Sequence, residues 1–128
     1  MKLLICCLVV ALPAWAQTAR PVEGLSEAQR ADYAKLMRGY VDTFRILGRA
    51  RACSLNYDAA PLLREVAQRH GEGSEAVKVA DLGYASGAEG RRLAAELEPV
   101  LLAPMPCDVV FYMKDMRLPE LPASLVLR

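Results

Sequence analysis

The amino-acid sequence predicts an all-α fold, a small bundle of three to five helices that is cross-linked by one disulfide and followed by an extended C-terminal tail. Apolar residues recur with a 3.6-residue period through the stretch after Ser26, which is the pattern of a long amphipathic helix. Glycines and prolines then divide the chain into helix-length segments. Two cysteines, Cys53 and Cys107, lie outside the apolar N-terminus and can form only one pair with each other.

Residues 1–16 have the features of a cleaved secretory signal peptide in the expected order. Lys2 supplies a positive charge, residues 3–12 are all apolar, Pro13 ends that stretch, and small residues at 14 and 16 allow cleavage before Gln17. The apolar stretch is shorter than the roughly 20 residues that span a bilayer. A short apolar N-terminus can also be a buried helix. We expect export, with residues 17–128 as a single helical domain and no membrane span after cleavage.

Composition limits the class of partner. The chain carries 16 Lys and Arg residues against 15 Asp and Glu residues, and its formal net charge is +1. Charges of one sign are never grouped into a long run, so neither a nucleic-acid footprint nor a basic membrane patch is expected. Alanine and arginine are abundant, a bias that is common where codons are GC-rich. With the leader, this favours the periplasm of a Gram-negative bacterium, and full secretion stays open.

Cys53 and Cys107 are expected to form a structural disulfide, because an even number of cysteines in an oxidising compartment favours pairing. The chain-entropy model gives a loop of this length roughly 4 kcal/mol of stabilisation. Redox chemistry is the alternative, but the sequence has no CxxC pair to support it.

The first helix is predicted to begin at Ser26, after a lead-in over residues 17–25 that we expect to be extended. Ser26 and Gln29 have the spacing of a capping box. A narrow second apolar stripe lies beside the main apolar face, and its members are Gly39, Ile46, Ala50 and Cys53. Because two stripes are apolar, the helix is expected to be central, with neighbours on two sides. The main face consists of Tyr33, Leu36, Met37, Tyr40, Val41, Phe44 and Leu47.

The same helix carries a strip of charged residues and one arginine within its apolar face. A charged strip of Arg38, Asp42, Arg45 and Arg49 occupies the opposite arc, and we interpret it as solvated surface, the alternative being a site for an anionic partner. Arg51 falls in the middle of the apolar face. Because it is close to the helix end, its head is expected to reach water. The alternative is an arginine that holds a carboxylate in a cleft.

A second helix is predicted from Asp58, which can cap it, through Pro61 in its first turn to an end near His70, because Gly71 follows. Ser74 is predicted to cap a third helix. Small residues form one stripe of this helix, and larger apolar residues form another beside it. The small stripe is Ala76, Ala80, Gly83, Gly87, Gly90 and Ala94, and the larger one is Val79, Leu82, Leu93 and Leu97.

The glycines of the third helix require an explanation, since each costs about 1 kcal/mol relative to alanine in a helix interior. Close approach of another backbone would offset that cost, and Gly83 and Gly87 have the GxxxG spacing of such contacts. The alternative is that the helix ends at Gly87 or Gly90.

Residues 108–116 fit either a helix or a strand. Residues 118–128, with two prolines, are expected to form an extended tail across the bundle.

No catalytic, cofactor-binding or metal-binding residues are predicted. His70 is the only histidine, and its place at a helix end is typical of a solvated residue that the helix dipole favours. The sequence contains no HExxH motif, no acidic calcium loop and no phosphate-binding glycine motif.

The chain is therefore expected to act by binding, with a periplasmic or cell-envelope protein as the partner and an oligomeric state that stays open. The alternative function is a small hydrolase of cell-wall or glycan substrates that uses two carboxylates. The acidic residues available to it are Glu65, Glu72, Glu75, Asp81, Glu89, Glu96 and Glu98.

Overall fold

A computed structural model shows a helical fold. Three α-helices occur in the described residues, and no residue there belongs to a β-strand apart from one isolated antiparallel bridge between Ala19 and Val126. The all-α prediction is thus confirmed. The described residues are 17–55, 57–89, 107 and 116–128. The helices are α1 (Glu27–Ala52), α2 (Ala60–His70) and α3 (Glu75–Glu89), and short 3-10 turns occur at Val22–Gly24 and Ala123–Leu125.

Helix α1 is the centre of the fold, as the double apolar pattern predicts. Its capping box is present: the Gln29 amide donates to Ser26 Oγ at 3.2 Å, and the Ser26 amide donates to Gln29 Oε1 at 2.8 Å. Burial extends around more than one face of the helix. The most buried apolar residues of α1 are Tyr40, Val41, Phe44, Leu47 and Ala50.

Helix α2 has the predicted limits within one residue. The Ala60 amide donates to Asp58 Oδ1 at 3.0 Å, but the N-cap position is Ala59, one residue after the predicted cap. Pro61 occupies the first turn, where its missing amide hydrogen is not needed. The helix ends at His70 because Gly71 adopts a φ of 98°, which side chains other than glycine rarely tolerate.

Helix α3 lies against α1 with almost no space between the two backbones. Ser74 Oγ accepts from the Val77 amide at 3.4 Å, and the helix continues through Gly87. A methyl group added at Gly83 would lie 2.8 Å from the Val41 carbonyl oxygen. A methyl group at Gly87 would overlap the Arg45 carbonyl oxygen. The predicted close packing is therefore confirmed, and the helix does not end at Gly87.

The expectation that the whole charged strip of α1 is solvated is wrong. Arg45 is only 7% exposed, so the charged strip is not solvated along its whole length, although Arg38 and Asp42 are exposed. The reason is the glycine contact, since α3 lies directly against α1 at the Arg45 carbonyl. Leu82, a member of the larger apolar stripe of α3, is 48% exposed, because the glycine stripe is the one that faces α1. Four further members of the α3 stripes, Gly90, Leu93, Ala94 and Leu97, lie outside the described residues.

The lead-in and the tail pair with each other. The Arg20 amide donates to the Leu125 carbonyl at 2.7 Å, and the Leu127 amide donates to the Thr18 carbonyl at 2.8 Å. The lead-in is not wholly extended, because Val22–Gly24 forms a 3-10 turn. The tail packs across the bundle as expected. Its buried apolar residues are Leu118, Leu121 and Leu125.

The predicted disulfide is present between Cys53 and Cys107, whose Cα atoms are 5.7 Å apart. It joins the end of α1 to the C-terminal part of the chain. Residues 1–16, for which the sequence predicts a signal peptide, and residues 108–115, whose conformation the sequence left open, lie outside the described residues. None of the helices in the described part has both the length and the apolar character needed to cross a membrane.

Gly87→Ala should destabilise the protein, because the added methyl group forces the backbones of α1 and α3 apart. We expect the free energy of unfolding to fall by about 1–3 kcal/mol, measured as a lower Tm in thermal denaturation. Gly24→Ala is the matched control, since a methyl group there meets nothing within 4 Å. Equal melting temperatures for the two variants would show that the helices are not in this close contact.

Candidate binding clefts and the Arg69 network

A buried arginine in the last turn of α2 connects several parts of the fold. Arg69 is 5% exposed. Its Nη1 donates to the Pro119 carbonyl oxygen at 2.6 Å and to the Tyr40 hydroxyl at 3.2 Å. Its Nη2 lies 3.3 Å from Glu65 Oε1, one helical turn earlier. A buried charge is tolerated only when it is paired and hydrogen-bonded, and these contacts satisfy that condition for both Nη atoms.

The Arg69 network also includes His70. Its Nε2 lies 2.7 Å from the Tyr40 hydroxyl oxygen. Arg69 donates to the same oxygen, and the tautomer of the imidazole decides whether Tyr40 or His70 donates in the contact between them. Burial, and secondly the Arg69 charge, lower the pKa of His70 from 6.5 to about 4. The histidine is therefore neutral at pH 7.

The expectation that His70 is a solvated helix-end residue is wrong. Its ring packs edge-on against Tyr40 at 5.4 Å and against Tyr33 at 6.5 Å between centroids. The chain turns away at Gly71, and the imidazole packs towards α1 and is only partly exposed to water. Burial also raises the pKa of Tyr40, whose ring is fully enclosed by the core.

A cleft of about 560 Å³ lies beside His70, between the lead-in and the loop that joins α2 to α3. Tyr33 and the carboxylates of Glu23 and Glu75 line it together with His70. The Tyr33 hydroxyl donates to Glu75 Oε2 at 3.3 Å. Burial of Tyr33, together with the charge of Glu75, raises the pKa of the tyrosine above its usual value. We refer to this feature as the His70 cleft.

A larger cleft of about 830 Å³ lies between α2 and the start of the tail, and we refer to it as the α2–tail cleft. Leu62, Leu118 and Leu121 give it an apolar lining, and Leu118 and Leu121 are at most 8% exposed. Arg64 on α2 and Arg117 on the tail are exposed at its edges. Neither arginine forms an ion pair within the described part of the chain. The cleft thus places two exposed guanidinium groups next to apolar surface.

The α2–tail cleft also has polar groups along its length. Gln17 and Gln68 are exposed there and offer both amide hydrogens and a carbonyl oxygen each. Glu120 adds one carboxylate from the tail. Glu65, which also lines the cleft, is held by Arg69 and does not contribute an uncompensated charge.

Arg51 lies at a third cleft, of about 710 Å³, near the end of α1. Its head is exposed, as expected close to a helix end, but its guanidinium also hydrogen-bonds to the side chain of Tyr84. Asp58 and Asp81 line the same cleft. The sequence left open that Arg51 holds a carboxylate in a cleft. Because two acidic residues accompany the single arginine here, this cleft is a poor match for a negatively charged ligand.

The carboxylates considered for a hydrolase are dispersed. Glu65 is bound to Arg69 and Glu75 to Tyr33, while Glu72, Asp81 and Glu89 are exposed. Glu96 and Glu98 lie outside the described residues. Within the described ranges no three residues among His, Cys, Asp and Glu are grouped closely enough to hold a metal ion.

Sequence reasoning missed Arg69, Arg64 and Arg117. Glu65 and Arg69 have i,i+4 spacing, and this spacing does not distinguish an ion pair on the surface from a buried one. Arg117 precedes an apolar residue in a proline-rich tail, where no period distinguishes a cleft residue from an exposed one. The burial of Arg69 depends on the docked tail, and local sequence does not encode that contact.

No family model matches the chain, and no curated protein or solved structure shows significant similarity to it. Its function has to be inferred from the residues and clefts described above.

The free energy of unfolding should decrease as the pH falls from 6.5 towards about 4, because His70 titrates near 6.5 when unfolded and near 4 when folded. Between these values the unfolded chain binds more protons. The partial exposure of His70 limits the loss to about 1–2 kcal/mol. Denaturant unfolding at several pH values measures it, and His70→Gln, which keeps an acceptor for Tyr40 but cannot titrate, should reduce the slope.

The lowered pKa of His70 can also be measured directly, because His70 is the only histidine in the chain. Its imidazole resonances in an NMR titration of the folded protein should have a midpoint close to 4. A midpoint near 6.5 would contradict the buried, hydrogen-bonded position of the ring.

Proposed function

We propose that this chain is an exported protein of the cell envelope that acts by binding, and that the α2–tail cleft is its binding site. One observation carries the proposal: Arg64 and Arg117, without ion-pair partners in the described residues, border a cleft lined by buried leucines. Apolar area supplies affinity, and a few well-placed polar groups fix the orientation of a ligand.

The size of the cleft supports this proposal. Binding sites for small molecules and cofactors usually have volumes of about 300–1,000 Å³. At about 830 Å³ the α2–tail cleft lies within that range. The scattered exposed apolar residues Val22, Leu82 and Leu127 do not offer a comparable surface, because isolated apolar residues are normal on a protein surface.

The walls of the cleft are held in place before a ligand arrives. One wall is α2, and the other is the tail, which Arg69 fixes through its hydrogen bond to the Pro119 carbonyl. The tail is also paired with the lead-in at Leu125 and Leu127. A preformed site loses less conformational entropy on binding, so a modest number of contacts can give useful affinity.

Export is supported by two features of the chain. The leader has the order of charge, apolar stretch and small residues that a signal peptidase requires. The disulfide between Cys53 and Cys107 fits an oxidising compartment such as the periplasm.

A periplasmic fraction from bacteria that produce the full chain should contain a protein that begins at Gln17 and has no free thiol. Intact mass spectrometry before and after alkylation without reductant measures both properties. An uncleaved chain in the cytoplasmic fraction, or two alkylatable cysteines in the folded protein, would contradict the assignment to the periplasm.

The binding site can be tested with a photo-cross-linking amino acid at Gln68, an exposed residue of the α2–tail cleft. We expect a discrete adduct in the native periplasm that is lost when Arg64 and Arg117 are both replaced by alanine. The matched control carries the cross-linker at Lys35, which is exposed on α1 and does not line the cleft. An adduct from Lys35 alone, or one from Gln68 that survives loss of both arginines, would refute the site.

The alternative function, a carboxylate-based hydrolase of cell-wall or glycan substrates, is favoured by one observation. Glu23 and Glu75 line the His70 cleft together. Both side chains are exposed, whereas the acid of such a pair is usually held in apolar surroundings. Turnover of peptidoglycan by the purified protein that disappears in Glu23→Gln or Glu75→Gln would establish the enzyme and exclude a purely binding role.

A further inference from the structure

We propose that the ligand of the α2–tail cleft is the C-terminal end of a peptide, with a free carboxylate and an aliphatic last residue. This inference rests on the proposed function and adds the chemical class of the ligand to it. It follows from three properties of the cleft: its free arginines, its leucine lining and its amide side chains.

The arginines require an anion. Arg64 and Arg117 approach the cleft from its two walls, and the described residues include no carboxylate bound to either. A guanidinium group binds a carboxylate through two parallel hydrogen bonds, which adds directional specificity to the charge attraction. A carboxylate held between α2 and the tail would therefore have donors on both sides.

The leucines require an apolar group close to that anion. Leu62, Leu118 and Leu121 line the same cleft as the two arginines. An aliphatic side chain placed against them removes its own surface from water, at roughly 25 cal/mol for each Å² buried. A small inorganic anion would leave this surface unused.

The polar groups distinguish a peptide from a fatty acid, which also joins a carboxylate to an apolar chain. Gln17 and Gln68 can donate to peptide carbonyls and accept from peptide amides, as the main chain of a peptide requires. An alkyl chain in the same place would offer these amides no hydrogen-bond partner. The lining therefore favours the peptide.

Glu120 limits the kind of peptide. Its carboxylate lies in the same cleft as the two arginines and would repel a second negative charge on the ligand. A peptide that ends in an aliphatic residue carries one negative charge at its end, whereas a peptide that ends in aspartate carries two. The aspartate-terminated peptide should therefore bind more weakly, even though it offers more charge to the arginines.

The test uses a fluorescein-labelled hexapeptide that ends in alanyl-leucine with a free carboxylate, and measures its binding to the mature protein by fluorescence anisotropy. We expect it to bind about tenfold more tightly than the same peptide with a C-terminal amide, the discrimination of one strong charge-assisted contact. The aspartate-terminated peptide should bind more weakly than the leucine-terminated one. Dodecanoate should not displace the leucine-terminated peptide.

Protein variants assign the effect to the cleft. Arg64→Ala and Arg117→Ala should each weaken binding of the free-acid peptide by about fivefold or more and reduce its preference over the amide. Arg38→Ala, an exposed arginine of α1 away from the cleft, is the matched control and should bind like the wild type. All three residues are exposed, so the variants should keep the wild-type Tm, which is measured alongside.

Equal binding of the acid and the amide, or unchanged binding in both cleft variants, would overturn the peptide proposal. Displacement by dodecanoate with no preference for the peptide would assign the cleft to fatty acids instead and would equally refute it. In either case the cross-linking result at Gln68 decides separately whether the cleft is a binding site at all.

Discussion

The rest of the structure depends on the buried guanidinium of Arg69. Its Nη1 joins the core hydroxyl of Tyr40 to the Pro119 carbonyl of the tail, and the Arg69 carbonyl accepts the Ala19 amide of the lead-in at 2.7 Å. One residue therefore connects α1, α2 and both terminal segments. This arrangement has a cost, because the Arg69 Nε is buried without a hydrogen-bond partner among the described residues. A buried donor left unpaired costs about 1–3 kcal/mol, which the surrounding contacts must offset.

The contact between α1 and α3 is of a different kind, because it depends on missing side chains. Gly48 faces the Tyr84 carbonyl from α1, and Gly83 and Gly87 face the Val41 and Arg45 carbonyls from α3. Dispersion attraction acts only over short distances, so two backbones this close gain many small contacts along the interface. These gains offset the entropy that helical glycines lose on folding. The bundle thus has one side held by close backbone packing and another held by a hydrogen-bonded arginine.

The sequence predicts these two sides unequally well. The capping box at Ser26 and the glycine spacing on α3 are local sequence patterns. The first predicts the start of α1, and the second predicts the close contact between α1 and α3. The Cys53–Cys107 pair is predictable because only two cysteines follow the apolar N-terminal stretch. Arg45 and Arg69 read as surface residues in the sequence, because their burial is produced by segments distant in the chain. The α2–tail cleft could not be predicted for the same reason, since its two walls come from separate parts of the sequence.

The cleft is a consequence of how the tail docks. The Pro119 carbonyl bound by Arg69 holds the tail alongside α2, and the Pro119 ring packs against Gly39 of α1. In this position Leu118 and Leu121 are mostly buried where they border the cleft, whereas Arg117 and Glu120 remain exposed at its edge. A ligand that contacts both walls would bind only the docked tail and would therefore stabilise it, since any molecule that binds the folded state alone shifts the equilibrium towards that state. Binding in the cleft and the integrity of the Arg69 network are thus coupled through the same short segment of chain.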